Sequence, residues 1–222
     1  MIEGRLFAVL TGDIVDSSGL RKLGQPPVST VIEKTEMWVQ KYFHQAIQGR
    51  IDVFRGDSWQ MVVREPEVAV RIGLYIRALL KANYEMDSRV SIGYGPVEYL
   101  PSDDISTGTG LAFTLSGQGL EECQKPVRMN LSFPQPKGSW EEQGLTTIIR
   151  LIDLLVVRWT PGQSQAAAGA MIGLTQAEIA DSWQPAPVSQ QAISQHLENA
   201  GWTHIKKALY FLEEALPVVL SS

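Results

Sequence analysis

A single cysteine, Cys123, stands among 222 residues, so no intramolecular disulfide can form and no thiolate cluster can hold zinc. Histidine is nearly as scarce, and His44, His196 and His204 each lack an acidic or cysteine partner at metal-ligand spacing. Excess basic charge is missing too: 19 Lys and Arg against 24 Asp and Glu give a net charge of -5, which argues against a broad electrostatic grip on nucleic acid. Local base readout stays open. No long hydrophobic run is present, because the apolar stretch Leu145 to Val157 is interrupted by Arg150 and Asp153 and reads as a packed helix. The amino terminus places Glu3 and Arg5 beside a short apolar run, without the basic start and cleavage site of a signal peptide. The expectation is a cytoplasmic protein with no membrane span.

What is there is a patterned chain with 44% hydrophobic residues, ample for an ordinary core. Arg5 to Leu10 reads as a central strand. After the break Gly24-Gln25-Pro26-Pro27, the positions Val31, Ile32, Trp38, Val39, Tyr42, Phe43 and Ile47 recur at helical spacing. Ile51 to Phe54 and Ser58 to Val63 flank Gly56-Asp57, which predicts a hairpin with a type II′ turn. A helix follows Pro66, and Arg89 to Tyr94 is a further strand closed by Gly95-Pro96. A short helix is predicted at Gly110 to Cys123 and a strand near Arg128 to Phe133. The order predicts an α+β fold, a ferredoxin-like mixed sheet with helices on one face. Pro134 to Ser139 is turn-rich, so the predicted organisation is a first domain over 1–134, a linker over 135–144 and an all-α domain over 145–222.

Two carboxylates stand out. Asp13 closes the first strand in Leu10-Thr11-Gly12-Asp13-Ile14-Val15, and Asp57 sits at the hairpin tip in Phe54-Arg55-Gly56-Asp57-Ser58-Trp59. Magnesium takes hard oxygen ligands and keeps several waters, so one or two carboxylates plus phosphate oxygens suffice to hold it. If the hairpin pairs beside the first strand, Asp57 comes close to Asp13. The turn Asp16-Ser17-Ser18 then offers amides and hydroxyls that could cradle phosphates. The plainer alternative is that Asp13 caps a turn and Asp57 occupies an exposed tip.

With Arg89-Val90-Ser91-Ile92-Gly93-Tyr94-Gly95-Pro96-Val97, these segments resemble the class III nucleotide cyclase core, a palm-type fold, in the right order. Adding Gly110-Leu111-Ala112-Phe113 and the helical region downstream, nearly the whole chain resembles the SatD family, in which such a core precedes a helix-turn-helix. The resemblance implies that Asp13 and Asp57 bind magnesium or manganese, joined by the carbonyl of Ile14, and that the protein is a homodimer. It also marks departures. Val53 stands where cyclases place a purine-reading lysine, and Phe113 and Gly117 stand where they place an asparagine and an arginine that stabilise transition-state charge. Neither Phe113 nor Gly117 can donate a side-chain hydrogen bond, and losing both donors removes several kcal/mol of barrier lowering, at about 3 kcal/mol for each such donor.

Downstream, helices are predicted near Leu145 to Arg158, Gln163 to Ile172, Thr175 to Asp181, Ser189 to Ala200 and His204 to Leu216. Thr175 to Ala180 followed by Val188 to Leu197 has the cadence of a helix-turn-helix, with Ala180, Ile193 and Leu197 locking the two helices. Ser189 reads as the N-cap of the second helix, and with Gln190, Gln191, Ser194 and Gln195 it forms the candidate DNA-contacting set, since Gln can read adenine in the major groove. The turn Ser182 to Pro187 is longer than usual, and from Leu145 onward four basic residues face six acids. A helical bundle that packs on the first domain or makes a dimer is the alternative. Three readings follow. One is a regulator that binds a metal-chelated nucleotide and contacts DNA or protein through its helices. The others are a metal-dependent enzyme acting on a nucleotide phosphate, and an interaction protein that binds neither.

Overall fold

Nine residues from Leu6 to Ile14 form strand β1, and their near-complete burial follows from a central place in the sheet. The computed structural model describes residues 5–17, 26–101, 105–123, 126–134 and 139–221. Around β1 stand α1 (Val28–Phe43), β2 (Ile47–Phe54), β3 (Ser58–Val63), α2 (Ala69–Tyr84), β4 (Ser88–Pro96), α3 (Leu111–Glu122) and β5 (Met129–Ser132). The sheet order is β2-β3-β1-β4-β5. β1 runs antiparallel to both β3 and β4, while β5 joins β4 in parallel. The first six elements thus trace the βαββαβ path of a ferredoxin-like unit in a mixed sheet, as expected.

Because side chains alternate across a strand, the two faces of this sheet differ in chemistry. On one face Ala8, Leu10, Met61, Val63, Ile92 and Tyr94 meet α1 and α2 in the main apolar core. The other face was expected to be bare of helices. Instead α3 lies across it, packing Ala112 and Phe113 against Phe7, Val9 and Val62. The sequence allows this because that face carries Gly93, where an added Cβ would stand 2.3 Å from the Ala112 carbonyl and 2.4 Å from the Ser116 amide. Helix and sheet backbones therefore touch. Of the polar groups trapped beneath, Thr11 Oγ1 bonds Ser116 Oγ at 2.7 Å and Gln60 Nε2 donates to Thr11 Oγ1 at 2.8 Å, while the Ser91 hydroxyl has no partner among the described residues.

Two local expectations shift. Strand β2 begins at Ile47 rather than Ile51, and a register irregularity between Gln48 and Asp52 accommodates the extra residues. The hairpin pairs Phe54 with Ser58, so its loop is Arg55-Gly56-Asp57 rather than a two-residue type II′ turn. Arg55 at φ 53° and Gly56 at φ 90° both take positive φ, which the longer loop requires.

The carboxy-terminal helices are α4 (Trp140–Val156), α5 (Pro161–Met171), α6 (Gln176–Asp181), α7 (Gln190–Asn199) and α8 (Trp202–Ser221). Helix α4 starts inside the expected linker, because Ser139 accepts from the Glu142 amide as N-cap and Glu141 and Glu142 favour the first turn. Helix α8 runs past Pro217, near its end, where Ser221 Oγ donates to the Pro217 carbonyl at 2.6 Å. The main core continues from the sheet into these helices, through Ile149, Val156, Ala167, Ile193, Leu209 and Leu216. Polar bonds tie the same parts together: Arg71 of α2 donates to both carboxylate oxygens of Glu213 in α8, at 2.6 and 2.9 Å.

Candidate functional site

The register of three strands assembles the site. In β1 and β3, Gly12 pairs with Trp59 and Asp13 with Ser58, which carries the hairpin tip to the end of β1. Gly12 is needed there because an added Cβ would sit 2.5 Å from the Trp59 ring. That ring is fully buried, and its Nε1 donates to Ser88 Oγ at 3.0 Å. Ser88 Oγ in turn donates to the Asp13 carbonyl at 2.7 Å, and the Ile14 amide donates to the Asp57 carbonyl at 3.1 Å. The backbone around both aspartates is thereby pinned.

Asp13, Ile14, Asp16, Ser17 and Asp57 line one cleft of about 320 Å³, joined by Arg89, Cys123 and Arg128. The two aspartates singled out in the sequence are thus brought together. Neither carboxylate is bare. Arg89, the cross-strand partner of Asp13 in β4, grips it in a fork, Nε donating to Oδ1 at 2.8 Å and Nη2 to Oδ2. Its remaining Nη1 donates to the Cys123 carbonyl at the end of α3, 2.9 Å away. The bond to Asp13 pushes the Arg89 pKa up. Asp57 Oδ2 accepts from Ser17 Oγ at 2.6 Å. Of the residues expected to cradle phosphate, Ser17 therefore spends its hydroxyl on Asp57, and exposed Asp16 holds a left-handed conformation at φ 56°. Ser18 lies outside the described residues.

Magnesium or manganese suits the donor set in kind, since two carboxylates on one cleft can share a hard cation with phosphate oxygens. Among the described residues no group of three or more His, Cys, Asp or Glu side chains could enclose a metal by itself. The fork from Arg89 also means that a cation reaching Asp13 competes with the guanidinium for its oxygens. Burial pushes the Cys123 thiol up to about 12, which disfavours its thiolate.

Beside this cleft lies a buried ion network that the sequence reading missed. Arg77 of α2, wholly buried, donates to both oxygens of Asp87 at 2.8 and 3.0 Å and to Asp153 of α4 at 2.6 Å. Arg128 Nη1 donates to Asp87 at 2.6 Å, and its amide donates to Asp153 at 2.7 Å. Burial alone would raise Asp87, but the Arg77 guanidinium, with Lys81 and Arg128, holds it down at about 2. The Asp87 carbonyl accepts from the Val15 amide at 2.9 Å, so the network also anchors the turn behind Asp13. Arg128 faces both this network and the cleft. Neither Arg89 nor Arg128 carries a local sequence signal. Arg89 becomes visible only when the β1–β4 register is known.

Helices α6 and α7 pack through Ile179, Ala180, Ile193 and Leu197, all buried, as expected of the last three. Ser189 is the N-cap of α7, its hydroxyl accepting from the Ala192 amide at 3.2 Å. Gln190, Gln191, Ser194 and Gln195 are exposed, and Gln195 donates to Asn199 at 3.2 Å. Neither helix contains Lys or Arg. His196 stacks on Trp183, with ring centroids 5.2 Å apart.

Fold and site define an α+β sheet unit whose central strand and hairpin present two aspartates to one cleft, followed by helices sharing its core. No family model matches the chain, and no curated protein matches it. Two solved structures of bacterial light-regulated adenylyl cyclases match, at 17% identity with a TM-score of 0.42 and at 18% identity with a TM-score of 0.40. Each match covers 57% of this chain and 43% of the cyclase chain, so this protein corresponds to less than half the length of either. No helix among the described residues is long and apolar enough to cross a membrane.

Proposed function

We propose that the protein is a regulator that binds a metal-chelated nucleotide in the Asp13–Asp57 cleft and contacts DNA or a protein partner through its carboxy-terminal helices. The observation that carries this reading is the convergence of Asp13, Asp57, Arg89 and Arg128 on one cleft. Carboxylates suit the cation, and guanidiniums suit the phosphates. The ligand exchanges partners with the protein: metal takes the Asp13 oxygens, and a phosphate takes the Arg89 fork. The sequence resemblance to the SatD family and the class III cyclase core points the same way. Binding is favoured over turnover because Phe113 packs into the apolar layer under α3, and Gly117 has no side chain.

The test uses Mn²⁺ as a spectroscopic probe, titrated with a nonhydrolysable nucleoside triphosphate. Loss of bound Mn²⁺ signal in Asp13→Ala and Asp57→Ala, with at least a tenfold weaker affinity, is the expected result; a tenfold change corresponds to about 1.4 kcal/mol. Unchanged binding in both variants sinks the reading. For α7, a low-salt gel shift that disappears with Gln190→Ala and Gln191→Ala supports DNA, whereas no shift leaves the protein partner.

A further inference from the structure

A groove of about 860 Å³ lies away from the aspartates, where the end of α1 and the start of α2 meet the α5–α6 turn and the first turns of α8. In a chain of net charge -5, its described lining holds Arg71, Lys206 and Lys207 and no carboxylate. Arg71 is already balanced by Glu213. Lys206 and Lys207 are exposed and have no carboxylate partner among the described residues. The rest of the lining mixes the polar Thr175, Gln176 and Thr203 with apolar and aromatic residues. Tyr210 is 50% exposed, with Arg71 at 5.4 Å and Lys206 at 5.8 Å from its ring centroid, and half-buried Tyr42 and Phe43 also line the groove.

We propose that this groove is a second ligand site, taking a nucleoside phosphate without metal. Lys206 and Lys207 both line the groove without a carboxylate partner among the described residues, and cations so placed suit an anion. The tyrosine surfaces beside them suit a planar base. An acidic peptide would instead call for cations spaced along an extended track, and the volume falls within the range of small-molecule sites. The groove shares no lining residue with the aspartate cleft, so the two proposals stand or fall separately.

Calorimetric titration of the full chain with ATP and GTP in EDTA tests it, since chelation removes the metal that the cleft requires. Binding is expected, weakened at least tenfold by Lys206→Ala with Lys207→Ala and less by Tyr210→Leu. Because these side chains are exposed, the variants should keep the wild-type circular dichroism. The proposal is overturned by no binding at millimolar nucleotide or by wild-type affinity in the double lysine variant. It is also overturned if inorganic triphosphate or a poly-glutamate peptide binds as tightly as the nucleotide. Loss of metal-free binding in Asp57→Asn would assign the ligand to the cleft and remove the groove site.

Discussion

Two Asp–Arg pairs sit at the start of β4, and they differ in what surrounds them. Arg77 and Asp87 expose 0% and 6% of their side chains, whereas Arg89 and Asp13 expose 37% and 17%. The buried pair is completed by Asp153, Arg128, Lys81 and the Ser88 amide, and joins α2, β4 and α4. The accessible pair is completed, among the described residues, by the Cys123 carbonyl and opens on a cleft. The same chemistry serves as a structural junction where water is excluded. Where water enters, it can exchange partners with a ligand.

Breaking the buried pair should have the largest effect. Arg77→Met keeps most of the volume but leaves Asp87 and Asp153 with less compensation, and removing one partner of such a network costs about 3–5 kcal/mol. Denaturant unfolding should show this as a lower midpoint with an unchanged slope. A loss below 1 kcal/mol would mean that the network is no junction. The next effect in size is acid sensitivity. Asp87 is held at about 2, below its ordinary value of 3.8. Its contribution is therefore fully present above pH 4 and fades as the pH falls from about 4 to about 2. The loss amounts to about 2 kcal/mol, read from unfolding free energies across that window. The slope should shrink in Arg77→Met.

The contrast between the pairs also explains what was legible in the sequence. β1, β3, β4, α1 and α2 announce themselves by periodicity, and the Gly56-Asp57 turn signal puts Asp57 at a hairpin tip, whereas its place beside Asp13 comes from the pairing of β1 with β3. Asp13–Arg89 depends on how β1 pairs with β4, which are separated by a helix, a hairpin and another helix. Nothing local encodes that register. Gly93 reads as a weak point within a strand, yet its role is to admit the backbone of α3 onto the second face, which no pattern within β4 reveals. Ser139 is the N-cap of α4, yet as sequence it belongs to the turn-rich run from Pro134 that reads as a linker. Asp153 interrupts the apolar stretch of α4, and nothing local shows that it is buried on Arg77.

The smallest effect on stability should come from the accessible pair, and it sharpens the comparison most. Arg89→Met removes the fork on Asp13, and pairs of this exposure contribute no more than about 1 kcal/mol, so the unfolding midpoint should barely move. Binding should move in two opposed directions. With Asp13 released, Mn²⁺ alone should bind more tightly than to the wild type. With the guanidinium gone, the metal–nucleotide complex should gain little or lose affinity, because a phosphate contact is lost along with the competitor. A destabilisation matching that of Arg77→Met, with no change in Mn²⁺ affinity, would instead make Asp13–Arg89 a second structural junction and leave the cleft without an exchangeable partner.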